Sequence, residues 1–140
     1  MIMLGAIIGD IAGSRFELDN YLKKDFDFFT EDCFPTDDSI MTVAVAKAIM
    51  ETDKRLGEKA RLSGDYRDLL AEQTVRYMQE IGRNYPGCGY EGLFSLWMFS
   101  DAPEPYKSFG NGAAKRVSPA GYAARTEREA KTLSGAVTSV

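Results

Sequence analysis

Hydrophobic and polar positions alternate with a helical period along most of the chain. In residues 66–81, Leu70, Thr74, Tyr77, Met78 and Ile81 fall on one face of a 3.6-residue repeat, with Gly82 placed as a stop. Ile40, Val43, Ala44, Ala48 and Ile49 predict a second helix over residues 38–50. Thr126-x-x-Glu129 has the form of a capping box and opens a third through Ala130, Leu133 and Val137. Leu93, Phe94, Leu96, Trp97 and Phe99 are dense enough in apolar and aromatic side chains to predict a buried helix. Residues 3–17 form the first candidate helix, where Gly5, Gly9 and Gly13 at four-residue spacing cost helix stability and leave a smooth face for close packing. The intervening stretches read as connections: residues 23–31 are charged and aromatic without a period, residues 51–65 are a polar surface excursion, and Tyr85-Pro86-Gly87-Cys88-Gly89-Tyr90 is a tight glycine-rich loop. The pattern as a whole predicts an all-α fold.

Composition narrows the chemistry. A chain of 140 residues fits one domain and buries a core without staples. Its net charge of −4, with both signs mixed along the length, provides no basic stripe for a general nucleic-acid surface. The start, residues 1–12, is apolar, but it has no basic segment ahead of it and Asp10 interrupts it, so it does not read as a signal peptide. No run reaches the length of a membrane span. The chain therefore reads as cytoplasmic, with Cys33 and Cys88 as free thiols in a reducing compartment. There is no histidine, so Ser-His-Asp and Cys-His nucleophile systems and histidine-ligated zinc sites are excluded. Any metal is held by oxygen, and any catalysis runs on carboxylates and a hard cation.

Two segments carry candidate chemistry. In Phe34-Pro35-Thr36-Asp37-Asp38-Ser39, one hydroxyl and two adjacent carboxylates precede the apolar run. They read either as an N-cap with acidic residues complementing the helix dipole, or as a site for Mg²⁺ or Ca²⁺. In Gly110-Asn111-Gly112-Ala113-Ala114-Lys115-Arg116, glycines around an asparagine let backbone N–H groups turn toward one point, with Lys115 and Arg116 adding positive charge. That segment reads either as a phosphate cradle or as an ordinary Asn-Gly turn. Asp10, Ser14 and Glu17 share one face of the first helix, which reads as a solvated polar stripe.

In this order the segments resemble the ADP-ribosylglycohydrolase family. The resemblance is carried by Gly5-Ala6-Ile7-Ile8-Gly9-Asp10-Ile11-Ala12-Gly13-Ser14 with Glu17, by residues 34–42, by residues 85–90 with Trp97, and by residues 110–119. It implies an all-α helical domain that binds ADP-ribose at a pair of Mg²⁺ ions, with Mn²⁺ as a substitute, and hydrolyses the bond between the distal ribose and a modified group. By resemblance, Thr36, Asp37 and Asp38 are metal ligands. Asp38 and Glu17 are the catalytic carboxylates, Glu17 also lies near the ribose, and Gly110, Asn111, Gly112 and Ala113 belong to the loop around the diphosphate.

The chain departs from the family pattern in two ways. Ala113 and Lys115 stand where relatives often carry Ser and Met. A second acidic cluster of the Asp-x-Asp-Thr type, expected near the C-terminus, is not found, since Glu127 and Glu129 are explained by the capping box. Residues 1–140 are therefore expected to form the N-terminal portion of one domain, incomplete at its C-terminal end. A second chain or self-association would complete the site. The alternatives are a non-catalytic ADP-ribose-binding fragment, half of a two-chain assembly, and a structural protein on the same scaffold.

Overall fold

The computed structural model describes residues 3–19 and 21–140, so Met1, Ile2 and Asn20, including the first two residues of the apolar start, lie outside the described residues. Seven α-helices follow in order: α1 Leu4–Gly13, α2 Asp37–Leu56, α3 Gly64–Gly82, α4 Gly92–Phe99, α5 Gly112–Lys115, α6 Ser118–Ala123 and α7 Glu127–Thr138. Short 3₁₀ turns occupy Ser14–Phe16 and Glu58–Ala60, and there is no strand among the described residues. The fold is all-α, as the periodicity predicts. Among the described residues no helix is long and apolar enough to cross a membrane. Cys33 and Cys88 are both free thiols.

The core forms where α2 and α3 lie side by side and α6 and α7 close over them. Ala44, Val45, Ala48 and Ile49 of α2 meet Tyr66, Leu70 and Met78 of α3, with Leu133 and Val137 of α7 and Ala120 of α6 completing the cluster. Leu70 and Leu133 are fully buried, and each contributes about 1.5–3 kcal/mol of apolar transfer free energy. The small Ala44 and Ala48 let the two long helices approach. Val43, expected on the inner face, is 42% exposed, because the buried stripe of α2 runs through Met41 and Val45 instead.

α2 runs past the end of its apolar pattern and takes in residues expected to be a surface excursion. Lys47 and Lys54 both reach Glu51, at 2.6 and 2.8 Å, which supports the helix at that point. Beyond them Asp53 receives Arg61 Nη2 at 2.6 Å, Arg61 Nε at 3.1 Å and the Tyr66 hydroxyl at 2.7 Å. Arg61 is buried and also donates to the Ala123 carbonyl, while Glu129, also buried, takes Arg125 Nη2 at 3.1 Å. Burial and the adjacent Asp53 push the Tyr66 hydroxyl pKa well up. The capping box is half realised: Thr126 Oγ1 accepts from Glu129 N–H at 3.1 Å, but the Glu129 carboxylate turns to the Arg125 N–H.

Three expectations are corrected. α1 is shorter than predicted and passes into a 3₁₀ turn at Ser14, and a Cβ at Gly5, Gly9 or Gly13 would meet nothing within 4 Å. The glycine face is therefore not a packing surface among the described residues. α4 is not buried as a whole: Trp97 and Met98 point inward, while Leu93, Leu96 and Phe99 are more than half exposed, because an eight-residue helix on the side of the bundle has one covered face. Gly82 does end α3, but its role is steric, since a Cβ there would come within 2.2 Å of Met98 Sδ.

Asp53→Ala leaves the Arg61 guanidinium buried without its carboxylate and removes the acceptor of Tyr66. The expected loss of stability is about 3 kcal/mol in urea unfolding, and a loss below about 1 kcal/mol would show that the network is not a structural tie.

Candidate active site

The start of α2 is fixed by Thr36. Its backbone is extended (φ −90°, ψ −179°), and Oγ1 accepts from the Asp38 N–H at 3.2 Å, so the residue is an N-cap. The same hydroxyl donates to Asp10 Oδ1, and the Thr36 N–H donates to Asp10 Oδ2 at 2.9 Å. A hydroxyl has one proton and two lone pairs, so one lone pair of this fully buried group remains free. Ser14 adds a second tie by donating to the Ile11 carbonyl at 2.9 Å and accepting the Phe34 N–H at 3.1 Å. The stripe of Asp10, Ser14 and Glu17 is thus not a solvated face. Its first two members are docked on residues 34–36, and only Glu17 is exposed.

Docking α1 in this way concentrates negative charge. Asp10, Glu17 and Asp38 each bring a carboxylate oxygen within 4.8 Å of the other two. Asp37 lies beside them, and its pKa is pushed up to about 6 by burial first and by Asp38, Glu17 and Asp10, against a lowering by Lys115. The Tyr85–Tyr90 loop is held against this cluster by the Asp37 N–H, which donates to the Cys88 carbonyl at 2.7 Å. Gly89 then passes close by with φ +85°, and a Cβ there would sit 3.8 Å from Asp37 Oδ1 and 3.9 Å from Glu17 Oε2. Only glycine adopts that backbone without strain.

Beyond the carboxylates opens a cavity of about 590 Å³, a volume within the range of small-molecule sites. Phe94, Trp97 and Tyr106 line it, together with Gly110, Asn111, Gly112, Ala113, Lys115 and Arg116. Phe94 and Trp97 stack at 5.4 Å between ring centroids. Arg116 is 7% exposed; its Nη2 donates to the Val137 carbonyl at 3.3 Å, its Nε has no acceptor, and no carboxylate pairs with it among the described residues. Burial pulls its pKa down. Trp97 Nε1 is likewise buried without an acceptor. Two buried donors on residues that border the cavity thus lack partners.

Asp37, Asp38 and Glu17 therefore line one space with the 110–113 loop, whereas Thr36 is fully buried and is not part of its wall. The sequence motifs alone miss Asp10 as a member of the acidic cluster and Trp97 and Arg116 as donors without partners. Asp10 is separated from Thr36 by a long aromatic connector, so the pairing has no local signature. Lys115, placed by the sequence beside the glycine loop, turns to the acidic end instead, with Nζ 2.9 Å from Asp38 Oδ1.

The model of the family described as ADP-ribosylglycohydrolase matches residues 1–140, and the chain belongs to that family. This is a family of glycosidic-bond hydrolases that are in general metal-dependent. No curated protein and no solved structure matches the chain.

In metal-free protein, Asp37 favours the folded state at low pH. Its folded pKa lies above the ordinary 3.8, so that contribution is complete below about pH 4 and is lost as the pH rises through about 6. Asp37→Asn is expected to be more stable than wild type by on the order of 1 kcal/mol at about pH 7, after allowance for solvent screening, with no difference near pH 4. Chemical unfolding at the two pH values checks this, and a pH-independent difference would refute it.

Proposed function

We propose that this family member hydrolyses the bond between the distal ribose of an ADP-ribosyl group and its acceptor, at a site assembled from the start of α2, α1 and the 110–116 segment. The single observation that supports it best is that one cavity is lined both by crowded carboxylates and by a glycine loop with an arginine that has no carboxylate partner among the described residues. Asp37, Asp38 and Glu17 line it together with residues 110–113 and Arg116, and Glu91 approaches the loop at Gly110. A ligand with a diphosphate and a ribose supplies acceptors to the donors and hydroxyls to the acids.

The donor set fits a hard divalent cation such as Mg²⁺ or Mn²⁺. Carboxylate oxygens from Asp10, Glu17 and Asp38 converge, Asp37 is short of compensating charge, and Thr36 retains a lone pair. Asp37, Asp38 and Thr36, with Asp10 as a further donor, would hold it. Such a cation lowers the pKa of a bound water and offsets negative charge near the ribose.

The chain's own groups do the rest. The 110–113 loop and Arg116 hold the diphosphate, to which the guanidinium, without a carboxylate partner among the described residues, offers a charge-assisted bond. The Phe94–Trp97 stack walls off one side from water. Glu17, exposed where the cavity opens, and Asp38 are the carboxylates available to orient the attacking water and take its proton, as positive charge develops at the anomeric carbon. Binding energy from the diphosphate then acts away from the reacting bond.

Calorimetry with ADP-ribose, with and without Mg²⁺, tests the assignment. Binding is expected to strengthen with Mg²⁺, Asp37→Ala and Asp38→Ala are each expected to remove that dependence, and Arg116→Met is expected to weaken affinity by about tenfold or more at any Mg²⁺ concentration. No heat with either solution would sink the reading. Binding without release of ADP-ribose from an ADP-ribosylated substrate would identify a binding protein rather than a hydrolase.

A further inference from the structure

Among the described residues one side-chain cation pairs with the acidic cluster. Lys115 leaves the one-turn helix α5 and places Nζ 2.9 Å from Asp38 Oδ1, and both side chains are about one-third exposed. At that distance the ammonium meets the carboxylate both as a hydrogen-bond donor and as an opposite charge, and Asp38 raises the Lys115 pKa. Asp37 and Glu17 act on the same ammonium, and Asp10 lies in the cluster with Glu17 and Asp38. The other nearby cation, Arg116, is engaged with the Val137 carbonyl and carries no carboxylate. A neutral side chain at this position would leave the cluster without this positive charge.

We propose that Lys115 is a built-in counter-cation of the acidic cluster, competing with a divalent ion for Asp38 and thereby weakening divalent-ion affinity in this chain. The inference rests on the metal-binding reading above. The physical argument is electrostatic. A divalent ion that takes Asp38 as a ligand must share the carboxylate with the ammonium or displace it. Sharing places two cations a few ångströms apart, and displacement sends a neutralising charge back to solvent. In either case the ion binds less tightly than it would to the same carboxylates without the lysine. The pair also accounts for how four carboxylates are tolerated in one place before any ion arrives. Lys115 thus sets how much divalent ion is needed before the site is loaded, a property separate from the recognition of ADP-ribose.

The test uses the whole chain, freed of metal, and Mn²⁺ as the probe, with free Mn²⁺ read from its electron paramagnetic resonance signal and no substrate present. Lys115→Met and Lys115→Gln are expected to bind Mn²⁺ about tenfold or more tightly than wild type, whereas Lys115→Arg keeps the charge and stays within roughly twofold of wild type. The gap between wild type and Lys115→Met should narrow as salt is raised, because both side chains are partly exposed. Circular dichroism of each variant verifies the helical fold, and Lys115→Gln serves if the methionine variant does not fold. Equal affinities in all four proteins, or weaker binding by the Met and Gln variants, would overturn the role of Lys115 while leaving the metal site intact. No Mn²⁺ binding by any of them would overturn the metal-binding reading and this inference with it.

Discussion

The structure of the site depends on the grip of Thr36 on Asp10. A fully buried residue uses its backbone N–H and its hydroxyl to hold both oxygens of one carboxylate, and through it the C-terminal half of α1. That pair and the Ser14 hydroxyl are the polar ties of the α1 end, while its glycine face meets nothing and much of its surface is exposed. The same hydroxyl caps α2. One side chain therefore starts the longest helix of the core and positions the carboxylates around that start.

The two ends of the bundle handle buried charge differently. Far from the cavity, Asp53, Arg61, Tyr66, Arg125 and Glu129 satisfy one another, so the charges there tie α2, α3, α6 and α7 into a fixed frame. At the cavity, carboxylates accumulate against a single lysine among the described residues, and Arg116 Nε and Trp97 Nε1 are buried without acceptors. A network whose members are all paired stabilises and specifies a fold, whereas one left incomplete leaves charge uncompensated. The frame holds the incomplete end in place, because α2 contributes Asp53 to one and Asp37 and Asp38 to the other.

The carboxylate crowding also has an electrostatic consequence. Asp37 is buried among like charges and holds its proton more tightly than an ordinary aspartate. Lys115 offsets part of the charge from outside the cluster. The cluster thus carries an excess of negative charge that the one lysine offsets only in part.

The sequence by itself determined the all-α class, the helices around Leu70, Ile40 and Leu133, the cap at Thr36 and the family, because each rests on local spacing or on an ordered run of motifs. It also brought Thr36, Asp37, Asp38, Glu17 and the 110–113 loop forward as one site. Tertiary structure alone decided that α2 continues to Leu56 on the strength of Asp53 and its partners, and that α4 shows Leu93, Leu96 and Phe99 to the outside. It also decided that Asp10 belongs with Thr36 and that Lys115 turns to Asp38 rather than to the glycine loop. Periodicity reports which face of a helix is apolar. It carries no record of which distant group a polar side chain will meet, because that pairing is fixed by the packing of helices far apart in the chain.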